Sequence, residues 1–148
     1  DRMNRHCQIA DAVVAAINAA ALGSFTAVRK ALPGSKREDL AAIQVQVIPS
    51  TFSEEQADRA RKRCNYGIDV GVQQEVDPDD NTAIDALHDL LMVDIRGLIN
   101  GPRLSTLTVA TWLKTETVGG AEAGYAPEHL ESQRIYTGVL RFTFQVIE

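Results

Sequence analysis

Asp77, Asp79 and Asn81 occupy the spacing of the first three ligands of a calcium-binding loop. The pattern then fails. Thr82 stands where the loop needs glycine, His88 stands where it needs a bidentate glutamate, and Pro78 lies inside. The segment reads as a turn and helix start, with Asn81 or Thr82 as the cap. His88 falls within an apolar helical stripe between Ile84 and Leu91, which suits a packed, hydrogen-bonded histidine. His6 and Cys7 are adjacent, but neighbours on a helix point in different directions and do not make a thiolate pair. Cys7 and Cys64 lack metal spacing and read as two free thiols in a reducing compartment. Gly119, Gly120 and Gly124 do not join a strand to a helix as a phosphate cradle requires. No acid, base, nucleophile or metal set can be assembled, so the expectation is a protein that is not an enzyme and carries no cofactor.

The basic run from Arg59 to Arg63 could touch phosphates. The bulk charge argues against nucleic-acid gripping: 15 Lys and Arg face 20 Asp and Glu, a net charge of -5. The run is expected to be a solvated face or to meet an acidic patch on a neighbour. At 148 residues and 45% hydrophobic content the chain fits one domain with a true core. Aromatics make up only 5%, so that core is mostly aliphatic. No apolar run approaches the roughly 18 residues that cross a membrane, and no signal peptide is expected.

Periodicity supplies the elements. Ile9, Ala12, Val13, Ala16, Ile17 and Ala20 recur at helical spacing, ended by Gly23-Ser24. Residues 25–32 suit a short strand. Ile43, Val45 and Val47 alternate with glutamines in a strand expected to end at Pro49. Residues 50–63 are polar and carry acids before bases, as a mobile arm would. Tyr66, Ile68, Val70 and Val72 face one way, with Gly67, Asp69, Gly71 and Gln73 on the other side. A second helix is predicted over 83–99, with the stripe Ile84, Leu87, Leu91, Ile95, Leu98 and Ile99. A strand over 107–114 follows. The last strand, 134–147, sets Tyr136, Leu140, Phe142, Phe144 and Val146 against Thr137, Arg141, Thr143 and Gln145. The order predicts an α+β domain, a mainly antiparallel sheet packed by two amphipathic helices, its long strands outreaching the core.

That overreach suggests an assembly subunit. Subunit-contact candidates are Arg59, Arg61 and Arg63 on the arm, Trp112 on the wetter face of its strand, and Ile135, Val139 and Ile147 on the polar face of the closing strand. Glu75, Asp77, Asp79, Asp80 and Glu122 lie in polar, turn-forming stretches suited to a lumen or rim.

The chain resembles the tail terminator, or tail completion, proteins of long-tailed bacteriophages and related minor tail proteins of the neck. The features that carry the resemblance span nearly the whole chain. They are the opening helix over 9–20, the strand Val45-Gln-Val-Ile-Pro49, and Arg63 leading into Tyr66-Gly-Ile68-Asp-Val70-Gly-Val72. An acidic turn and helix follow, then a Tyr125-to-Leu130 segment and an alternating strand from Tyr136 to Val146. The resemblance implies a ring-forming subunit, usually a hexamer of itself. The ring would cap the tail tube protein, stop tube growth and join the tail to the head-side connector or stopper protein. DNA would pass through the lumen without specific binding. The implied location is the virion neck, after assembly in the host bacterial cytoplasm, with no membrane involved. A head-closure or tube subunit is the nearer alternative, and a small cytoplasmic α+β binding domain the more distant one.

Overall fold

The computed structural model describes residues 4–23, 25–30, 37–99, 110–118, 131 and 134–148. They form an α+β fold with a five-stranded sheet, mostly antiparallel. Helix α1 is Arg5–Ala20, β1 is Val28–Arg29, and a short 3-10 turn occupies Arg37–Ala41. Strands β2 (Gln44–Gln56) and β3 (Lys62–Glu75) form a long hairpin. Helix α2 (Asn81–Asp89) runs on through a π-helical stretch, Leu90–Ile95, into a last α turn, Arg96–Ile99. Strand β4 is Thr111–Thr117 and β5 is Ile135–Ile147. The sheet order is β1-β2-β3-β5-β4, and only β1–β2 is parallel.

One face of the sheet carries the core. Val45 and Val47 sit opposite Val72 and Val70. Ile68, Val70 and Tyr66 sit opposite Phe142, Leu140 and Phe144. Ile9, Val13 and Ile17 of α1 join this cluster, as do Leu87, Leu91, Ile95 and Ile99 of the second helix. Ile84 is only partly buried. Along the second helix the buried positions advance by four residues at each step. An α-helix turns every 3.6 residues, so such a stripe drifts around it. The wider π turn in the middle takes up that drift and keeps the stripe on the sheet.

Local chemistry fixes the ends. Asn4 caps α1 by accepting from the Cys7 amide at 2.8 Å. The helix stops earlier than Gly23-Ser24: Ala21 takes the left-handed conformation (φ 50°) and its N–H reaches the Asn18 carbonyl. Asn18 then clamps the returning chain, accepting from the Ala27 amide at 2.8 Å and donating to the Ala27 carbonyl at 3.3 Å. Asp11 pairs with Arg29 at 2.9 Å across the same junction. The cap of α2 is Asp80, not Asn81 or Thr82. Its Oδ1 accepts from the Ala83 amide at 3.1 Å.

Two expectations about strands are corrected. Pro49 does not end β2, which continues to Gln56. Strand β1 pairs only with Gln46 and Val47, so among the described residues no strand lies outside β2 at Pro49, and the missing N–H breaks no ladder there. A bulge between Pro49 and Phe52 lets pairing with β3 resume. Trp112 does not stand on the wetter face. It lies opposite Phe144 and packs, partly buried, against the core. Ala110 and Trp112 together take the core side of the strand, and the bulge between Trp112 and Lys114 then sets Thr115, not Lys114, on that side, opposite Phe142. The expected start of that strand, 107–109, lies outside the described residues.

Candidate assembly surface

Beyond Pro49 the β2–β3 hairpin leaves the helix-covered body as an arm. Every residue from Ser50 to Lys62 is exposed. The segment expected to be a loose polar stretch is therefore ordered β-ladder up to Gln56–Lys62. Its charges pair internally. Lys62 meets Glu54 at 3.2 Å, Arg63 meets Glu55 at 2.9 Å, and Arg61 meets Asp58 at 2.8 Å. Asp58 organises the tip, accepting the Ala60 and Arg61 amides at 2.9 Å each. The Ala60 amide, then the Arg61 guanidinium, hold this carboxyl below its ordinary range. Among the described residues, Arg59 is the one arm cation without an ion pair.

The base of the arm is latched to the end of β5. Glu148 exchanges backbone hydrogen bonds with Lys62, and its carboxylate meets Arg5 at 3.5 Å. The same carboxylate accepts from Cys64 Sγ at 3.2 Å and from Tyr66 Oη at 3.5 Å. Burial, then the Glu148 charge, pushes the Tyr66 hydroxyl up to about 12. Burial, with Glu148 beside it, also raises the Cys64 thiol, so it stays protonated and unreactive. His6 turns to the Gly67 carbonyl at 2.9 Å, its ring tilted at 52° to that of Tyr66. His88 reaches the Tyr136 hydroxyl at 3.2 Å. These groups tie elements together.

The second face of the sheet, away from α1 and α2, is a ladder of polar pairs between β3 and β5. Gln145 donates to Asn65 at 3.2 Å, Arg141 grips Asp69 at 2.8 and 3.1 Å, and Gln73 donates to Thr137 at 3.3 Å. Gly67 and Gly71 alternate with them, opposite Thr143 and Val139. The hydrogen bonds to Asp69 raise the Arg141 guanidinium further above its ordinary value. A cavity of about 380 Å³ opens on this face, walled by Ile48, Pro49, Gly71, Val118 and Val139, with Gln46, Ser50, Asp69, Gln73 and Thr137. Gln73 is among the lining residues, and its Oε1 is buried without a hydrogen-bond partner among the described residues.

The sequence-derived candidates separate across this map. Arg59, Arg61 and Arg63 lie on the arm. Val139 lines the cavity. Ile147 is 45% exposed and sits opposite Arg63 at the arm base. Ile135 is already buried within the chain and offers no surface, and Trp112 covers the core edge. Glu75, Asp77, Asp79 and Asp80 gather at the exposed turn after β3, the far end of that strand from the arm. Asp77 accepts from the Asp79 amide and Asp80 caps α2. Glu122 and the 125–130 segment lie outside the described residues. Among the described residues no three His, Cys, Asp or Glu side chains converge as a metal site would require. No described helix is long and apolar enough to cross a membrane.

Sequence reasoning missed the Asp69–Arg141 pair, the orphaned Gln73 and the cavity. The polar residues at alternate positions of both strands were the available signal, but alternation does not give register. No protein-family model matches this chain, and no curated protein matches it.

Proposed function

We propose that this chain is a structural protein of the bacteriophage neck, a ring-forming tail terminator. In this reading the ring caps the tail tube, ends its polymerisation and joins the tail to the head-side connector. DNA passes through the lumen, and the working location is the virion. The observation that carries the reading is the arm. A charge-paired hairpin with a fixed tip projects from the helix-covered core, exposed at every residue from Ser50 to Lys62. Such a projection has a use where another surface receives it. An arm and a receiving patch at different places on one molecule generate head-to-tail contacts, which close into rings when the rotation allows. The unreactive Cys64 and the structural engagement of His6 and His88 support a scaffold over a catalyst.

The test is mass measurement in solution with negative-stain imaging, alone and with purified tail tubes. Closed rings and capped tube ends are expected. A compact monomer that leaves tubes uncapped would sink the reading and favour a small α+β binding domain, for which the cavity on the second face is the supporting observation.

A further inference from the structure

We draw no further inference here: the strongest candidate, the apolar-walled cavity on the second sheet face between Ile48, Pro49, Val118 and Val139, carries nothing because its carboxylate, Asp69, is already held by Arg141 and Ser50 and nothing in the structure shows what covers it.

Discussion

Asp69 and Arg141 face each other across β3 and β5, with the guanidinium holding both carboxylate oxygens on the face that α1 and α2 leave open. Ser50 Oγ, from beside the β2 bulge, donates to the same carboxylate at 2.9 Å. One ion pair thus ties three strands at the point where the arm leaves the body. Their side chains are 13% and 25% exposed, so the pair is more than a solvated surface contact. Arg141→Met should destabilise by about 1–3 kcal/mol, because Asp69 is left largely buried without its cation. Adding Asp69→Asn should recover part of the loss. Urea midpoints decide it: a double variant as damaged as the sum of both singles would show that the pair is not the cause.

Gly67 is required by close approach. A Cβ there would overlap Thr51 Oγ1, which lies over the strand because of the bulge between Pro49 and Phe52. Gly67→Ala should cost about 1–3 kcal/mol, as overpacking does. Combined with Thr51→Ala it should cost less, since the overlapping oxygen is gone. An alanine that leaves the thermal midpoint unchanged would show that the bulge yields freely.

Alkaline pH should weaken the fold through Cys64 and Tyr66. Both hold their protons more tightly folded than unfolded, Tyr66 up to about 12 against 10.0. The unfolded chain therefore loses these protons first, and stability falls as pH rises from about 9 towards 12. Below that window the contribution is fully present. Tyr66→Phe should flatten the upper part of the decline, leaving the portion due to Cys64. Denaturation midpoints followed from pH 8 to 11 provide the check, and parallel slopes in the two proteins would refute the assignment.

Ala21 ends α1 with φ at 50°, a conformation that costs a residue with a Cβ about 1–2 kcal/mol. Ala21→Gly should therefore stabilise by about 0.5–1 kcal/mol after the added freedom of the unfolded chain is counted. A fall in the denaturation midpoint would mean that the methyl group contributes packing the backbone argument leaves out.

Duplex DNA should not be bound tightly by the free chain. The net charge is -5, and three of the arm's cations are already matched by carboxylates. A gel-shift titration at physiological salt should show no submicromolar complex and at most weak, salt-sensitive retention. Tight binding would point to a nucleic-acid role in place of a passage that lets DNA slide.

The alternation of Tyr136, Leu140, Phe142 and Phe144 against Thr137, Arg141 and Gln145 already states which side of the last strand enters the core. Leu87, Leu91, Ile95 and Ile99 likewise mark the buried stripe of the second helix. Both patterns are local, because a side chain's direction follows from the backbone period alone. Partner and register are not local. Nothing in the period-two pattern of β3 says that Asp69 meets Arg141, or that Gln73 meets Thr137 and keeps an oxygen unmatched. Alternation put Ala110 and Trp112 on one side of their strand but could not say which side meets the core, and the bulge after Trp112 shifts the pattern only beyond it, bringing Thr115 opposite Phe142. Pro49 stayed inside a strand because β1 is too short to need its N–H. Opposite charges on 54–63 were legible as composition. Their cancellation within one hairpin, leaving Arg59 over, was decided by cross-strand neighbours that only the folded chain brings together.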